Sequence, residues 1–321
     1  MDFIKKFLAA LKRAAVFAVL LMLASVLLIG ANSALNFPFD VDSPPTQQEI
    51  AAAQKYYTDA YQKPGADREV RSEFESKYIQ VAADQAKIYR IEDQVSGFVK
   101  DFNLRDRPVL EIGSGMGNLQ DVAENYIGLD ISPSVARFYH KKFVLGSATA
   151  LPFPDNSFDG VWSIWVFEHV PNPEQAFREA RRVIKDGGVL FLLPAWNCSP
   201  WAAEGYEVRP YSDFNLAGKL VKASIPLLSS SIYWIPTHVP IRAARSVVAR
   251  TNPTRLRYRR LAPNYEKYWM SDSDAVNSID SHEAMLWFVS RGDECVNCED
   301  ASVFLPRFSK PLVIRVHKSA G

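Results

Sequence analysis

Cysteine is scarce in this 321-residue chain: there are three, Cys198, Cys295 and Cys298, too few for a disulfide-stapled scaffold. Cys295 and Cys298 form a single CxxC with neither a second pair nor nearby histidines, so they are expected to be buried strand residues and not a metal or redox site. Charge of one sign is also missing. The formal net charge is +1, which leaves no basic footprint for nucleic acid. The glycine-rich stretch Leu110 to Leu119, LEIGSGMGNL, lacks the Lys-Ser/Thr ending of a nucleoside-triphosphate loop, since Asn118 and Leu119 follow Gly117. It also lacks a glycine at 118, where a dinucleotide fingerprint counted from Gly113 needs one. What remains, 48% hydrophobic and 23% charged residues, is ordinary for one or two folded domains.

Long apolar runs are absent except at the start. Ala14 to Ala31 is 18 residues without a charge, behind Lys5, Lys6, Lys12 and Arg13. At about 1.5 Å rise per residue this is roughly 27 Å of helix, enough to reach across a bilayer's hydrocarbon core. The run predicts a single-pass N-terminal membrane anchor over residues 1–40; a cleaved signal peptide, with Ala31, Ser33 and Ala34 as small residues near a cleavage point, is the rival reading. The basic flank before the run, and Asp40 and Asp42 after it, favour a cytoplasmic N-terminus with the main body across the membrane.

Residues 41–104 read as a linker, DSPPTQQ, followed by two or three helices, because glycine and proline are absent between Ala66 and Ser96 and the apolar residues recur at helical spacing. From about residue 105 short apolar runs alternate with amphipathic segments. VLEIG, YIGLD, FVLG, SFDGVWSIWV and GVLFLLP read as five strands, with helices expected after Gly117, over PSVARFYHKK, and from Asn172 as cap to Gly187 as stop. A last helix, capped by Asp280 and Glu283 and ending at Gly292, precedes two strands, ECVNCE and PLVIRVHK. The chain between those two strands is too short for a parallel crossover, so the final one should pair antiparallel. The fold class is α/β: a Rossmann-like, doubly wound, seven-stranded sheet with N-terminal helices and an anchor helix.

The pattern E-x-G-x-G-x-G from Glu111, with Asp130 at the end of the next strand, resembles the class I S-adenosylmethionine-dependent methyltransferases, in their small-molecule branch. YIGLDIS and ALPFPDNSFDGVWSIWVFEHVPNPEQAFREARRVIKDGGVLFLLP continue the likeness, which is dense over residues 105–196 and loose over 278–318. The resemblance implies S-adenosyl-L-methionine as cofactor, held by Glu111, Gly113, Ser114, Gly115, Asp130, Ile131, Ser147 and Ala148. Physically, bare glycines let backbone approach a ligand, a helix start near Gly117 would receive a carboxylate, and Asp130 could accept two ribose hydroxyl protons. Ser147 stands where the family often carries an adenine-binding aspartate. Glu168 and His169 follow the fourth strand where the acceptor should lie, and are the candidates for a general base.

Between about 195 and 277, inside a methyltransferase domain over 105–321, the resemblance fades. This insertion carries aromatics, the run LLSSSIYWIPTHVPI, and seven arginines from Arg242 to Arg260 without an acidic residue among them. It reads as a substrate lid, its arginines either a solvated basic face or a contact with anionic lipid headgroups. The expected function is methyl transfer to a small, hydrophobic or membrane-associated acceptor, with the membrane as partner through the N-terminal helix and with no metal and no nucleic acid. The alternative is a catalytically silent chain using the fold for binding or assembly.

Overall fold

The computed structural model describes residues 2–36, 46–61, 73–203, 205–264, 272–298 and 310–318. Four helices come first: α1 (Asp2–Asn36), α2 (Gln47–Ala60), α3 (Glu73–Ile88) and α4 (Ile91–Asp101). Within α1, Phe7–Leu27 is apolar, long enough to cross a membrane, and not buried by any part of the protein. The start of α2 is fixed by a capping box in which Thr46 and Glu49 satisfy each other's backbone amides.

The strands that follow are β1 (Val109–Ile112), β2 (Tyr126–Asp130), β3 (Lys142–Leu145) and β4 (Phe158–Ile164), then α5 (Pro173–Val183), β5 (Ile184–Leu193) and the short α6 (Pro200–Ala203). The insertion adds α7 (Leu216–Leu228), α8 (Ser231–Ala249) and a separate antiparallel pair, β6 (Tyr258–Arg260) with β7 (Asn277–Ile279). The chain closes with α9 (Ser281–Val289), β8 (Glu294–Cys295) and β9 (Leu312–Arg315). The main sheet has seven strands in the order β3-β2-β1-β4-β5-β9-β8. Its first five are parallel, and β9 runs antiparallel to β5 with Leu190 opposite Ile314.

Strand alternation sorts the core into two layers. Leu110, Ile112, Leu190 and Leu192 pack with α5 and α9 residues such as Phe177 and Phe288, while Val109, Trp162, Val189 and Phe191 pack with Ile91, Val95 and Phe98 of α4. Covering both faces is what allows strands that are apolar throughout.

Several expectations are corrected. No helix follows the glycine turn. Residues 113–125 form successive turns, because Gly113, Gly115 and Gly117 all take positive φ (72°, 50° and 71°) and the Gln120 side chain accepts the amides of His140 and Lys141 across the gap. The helix over PSVARFYHKK is reduced to a 3-10 turn at Pro133–Phe138, after which Tyr139 folds back to donate to the Gly115 carbonyl. α5 is capped by Asn172 as expected but ends at Val183, where Ile184 is already extended; Gly187 lies inside β5. Cys295 and Cys298 are not independent strand residues: they are joined in a disulfide. The insertion's arginines are not one solvated or lipid-facing set either, since Arg242 and Arg245 turn inward to bond Asp280 and Glu283 on α9.

Candidate active site

The carboxyl ends of β1, β2 and β4 open into a cavity of about 220 Å³. Its sheet side carries Gly113, Asp130, Ile131, Ser147, Ala148 and His169, and α2 and α3 cover it with Ala53, Tyr57, Tyr61 and Ala82. A wider cleft of about 640 Å³ adjoins, walled by Glu111, Ser114, Gly115 and the end of α3. Gly113, Tyr61, Ala82, Ile164 and Trp165 face both spaces. Nine of the ten residues singled out in the sequence thus gather around two joined spaces, four of them (Asp130, Ile131, Ser147, Ala148) with His169 in the cavity and Glu111, Ser114 and Gly115 in the cleft. Glu168 lines neither; it is buried behind His169.

In the turn that separates the spaces, side chains are disfavoured at Gly113 and Gly115, both at positive φ. A Cβ on Gly113 would meet Val166 Cγ2 at 2.2 Å, and one on Gly115 would meet the Tyr61 hydroxyl at 3.0 Å. Gly113 and Ser114 donate their amides to the Leu129 carbonyl, and Gly115 donates to Asp130 Oδ2 at 2.9 Å. The Gly117 amide, expected to be free at a helix start, donates to the Ser114 carbonyl. Ser132 donates to the other Asp130 oxygen at 2.9 Å, which leaves lone-pair sites on both oxygens for a ligand hydroxyl. Burial outweighs these bonds and raises the Asp130 carboxyl above its usual range. Ser147 shares a hydrogen bond with Thr149 at 2.9 Å. Trp165, at the junction, holds φ of 52°, a left-handed conformation costly for a bulky side chain and frequent at functional sites.

Glu111 points to the α4 side of the sheet, where Tyr126 donates to its Oε2 at 2.5 Å. Burial pushes its carboxyl up to about 8, against the lowering effect of the Tyr126 and Trp162 donors. Among the described residues no lysine or arginine is bonded to it. On the cavity side, His169 Nδ1 lies 3.3 Å from the Asp274 carbonyl and 3.5 Å from Asp274 Oδ2, and Nε2 lies 3.7 Å from Glu168 Oε1. Tyr57 donates to Asp274 Oδ2 at 3.2 Å and sets its ring edge-on to His169. Burial alone would lower the imidazole, but Asp274 and Glu168 raise it above its ordinary value. Burial also lifts Glu168 to about 7, partly offset by His169.

The sequence profile of the methyltransferase domain matches residues 110–192, the segment from β1 to β5 that builds the sheet side of both spaces. The chain is 33% identical over 132 residues to the ubiquinone/menaquinone biosynthesis C-methyltransferase of Hahella chejuensis, covering 35% of this chain and 53% of that protein. It is 35% identical over 102 residues to the 2-methyl-6-phytyl-1,4-hydroquinone methyltransferase of a Synechocystis species, covering 28% and 32%. Residues 110–192 therefore form a methyltransferase domain of the class I S-adenosylmethionine-dependent type. These matches span about half and a third of the two curated relatives. Among solved structures, a Thermotoga maritima S-adenosylmethionine-dependent methyltransferase, described as a possible histamine N-methyltransferase, aligns with a TM-score of 0.40 and 16% identity, covering 75% of this chain and 97% of that one.

The residues around these spaces suit the cofactor of that domain family, S-adenosyl-L-methionine. A buried acid with no cation of its own faces the cleft, a second acid with spare acceptor sites sits at the end of β2, and apolar walls flank them. Sequence reasoning missed Tyr57, Tyr61, Trp165 and Asp274. Tyr57 and Tyr61 carried a usable signal, being four apart on one face of a capped helix. Asp274 carried none, because it lies 105 residues from the histidine it meets.

Proposed function

We propose that the protein transfers a methyl group from S-adenosyl-L-methionine to a small apolar acceptor drawn from a membrane, with α1 as the tether and His169 as the general base. S-adenosyl-L-methionine, when bound, supplies an electrophilic methyl on a positively charged sulfur. The protein's part is to align, to exclude water and to take a proton. Glu111 would hold the donor's ammonium and Asp130 its ribose, while Gly113, Ser114, Gly115, Ile131, Ser147 and Ala148 line the space between and beyond them. Tyr57 and Tyr61 close the site from α2.

The observation that carries the reading is the His169 environment. Its Nδ1–H can donate to the Asp274 carbonyl, which leaves Nε2, 3.7 Å from Glu168 Oε1, as the ring nitrogen free to take up a proton from an acceptor bound beside His169. Asp274 and Glu168 then stabilise the imidazolium, and Tyr57 fixes Asp274. A membrane acceptor accords with the apolar character of Ile50, Ala53, Val166 and Val170 around His169, and with the exposed apolar stretch of α1.

The test is the full chain in detergent, assayed with methyl-labelled donor against the lipid-soluble and water-soluble fractions of a membrane extract. Label should enter the lipid-soluble fraction, and His169→Gln should lower kcat by about 10² to 10⁴ with donor affinity retained. Label found in aqueous products alone removes the apolar acceptor, and an unaltered kcat removes the base.

A further inference from the structure

The insertion turns its helices inside out. Along α8, the side facing the protein carries Trp234, Thr237, Arg242 and Arg245, whereas the outward side carries Ile232, Ile235, Pro236, Pro240, Val247 and Val248. Arg242 is fully buried and bonds Asp280 at 2.6 Å, stacked on the Trp234 ring at 4.5 Å; Arg245 grips Glu283 with two bonds of 2.8 Å. The preceding α7 repeats the pattern, with Leu216, Leu220 and Leu227 left 76%, 64% and 59% exposed, and Ile232 at the start of α8 is 82% exposed. A water-facing helix normally shows the opposite arrangement, and a contiguous apolar surface of this kind marks a binding face.

We infer that the α7–α8 hairpin is a lipid-docking surface, lying in the plane of the same bilayer that α1 enters. This rests on the reading of α1 as a tether. Three observations select lipid over a protein partner. α1 packs beside α8, so the apolar face of the hairpin continues into a helix whose Phe7–Leu27 stretch is apolar and exposed. Neither α7 nor α8 contains an acidic residue, and the exposed cations Lys219, in the first turn of α7, and Arg250, the C-cap of α8, both lie away from the turn that joins the two helices, where anionic headgroups would meet them. The depth is also set by the sequence. α7, with 13 residues, is too short to span. Pro226, Pro236 and Pro240 offer no backbone N–H, so their helices retain carbonyls that favour the hydrated interface over the hydrocarbon centre.

Nitroxide labels attached to Leu220→Cys and Ile232→Cys in the full chain test this, since Cys198 is buried and Cys295 and Cys298 are paired. Leu20→Cys on α1 and the exposed site Glu124→Cys serve as the lipid and water references. In vesicles of phosphatidylcholine with phosphatidylglycerol, the labels at 220 and 232 should collide several-fold more with oxygen, relative to a polar nickel chelate, than the label at 124. Water-like behaviour at 220 and 232 beside a lipid-like 20 overturns the docking surface and leaves the tether standing. Exclusion of both quenchers at 220 and 232 also overturns it, in favour of a protein contact. A water-like label at 20 removes the tether and the hairpin reading together. None of these readouts depends on donor binding or turnover, which isothermal titration of the same samples follows separately.

Discussion

Glu111 in the cleft beside the glycine turn and Asp280 at the start of α9 are both withdrawn from water, at 6% and 1% exposure, yet their charges are handled in opposite ways. Burial alone would raise Asp280, but Arg242 at 2.6 Å more than compensates and holds the carboxylate below its usual range. Burial acts equally on Glu111, and there the only compensation is a hydroxyl and an indole, so the carboxyl rises to about 8. The Arg242–Asp280 pair is complete and belongs to the architecture: it fastens α8 to the helix that Asp280 also caps through the amides of His282 and Glu283. Among the described residues Glu111 has no bonded cation, which agrees with the proposal that its partner is the ammonium of a ligand. A buried acid supplied with its own cation marks construction, and one without marks binding.

The largest effect separates the two by stability. Arg242→Met strands Asp280 as an uncompensated buried charge and should cost about 3–5 kcal/mol, read as a lowered urea midpoint with an unchanged slope. A loss below about 1 kcal/mol would place that pair among the ornamental ion pairs of a solvated surface. Next is Glu111→Gln, which should leave stability at pH 8 unchanged or improved and weaken donor binding by about 1.5–3 kcal/mol, the usual worth of a hydrogen bond to a charged group. Titration calorimetry measures it, and equal affinity in the two proteins would mean that Glu111 does not meet the ammonium.

The same contrast explains which parts could be read in advance. Between β1 and β5 local rules served for the strands, for the Asn172 cap and for the acid ending β2, though not for the two helices expected between β1 and β3. The sheet order followed, with an antiparallel β9. The helix after Gly117 failed because three positive-φ glycines and the Gln120 side chain supplied a non-helical path that helical spacing at Leu119, Val122 and Ala123 could not reveal. The insertion was harder still. A run of arginines with no acid nearby in sequence reads as surface, but its partners Asp280 and Glu283 lie 38 residues from Arg242 and Arg245, and only the packing of α8 on α9 joins them. The cover of the site, Tyr57 with Asp274, spans 217 residues. Local pattern reached the sheet side of the two spaces; long-range pairing shaped their cover.

The finest probe of the comparison is the proton on Glu111. Its folded value, about 8, lies above the ordinary carboxyl value of about 4.5, so its contribution to stability is fully present below about 4.5 and lost as the pH rises through 8, at no more than about 1.4 kcal/mol per pH unit. Donor binding has the opposite sign. An ammonium pairs with the carboxylate, so binding below pH 8 must expel a proton, and affinity should climb by at most tenfold per unit before levelling near 8. Calorimetry in two buffers of different ionisation heat counts that proton directly. Tyr126→Phe then takes away the hydroxyl that most lowers Glu111, so the levelling point should move to higher pH while the affinity reached above it stays the same. Proton release that is absent at pH 6 to 7 in the unsubstituted protein, or a levelling point that Tyr126→Phe leaves in place, would mean that Glu111 keeps its proton with the donor bound and acts as a neutral hydrogen-bonding group, as architectural as Asp280.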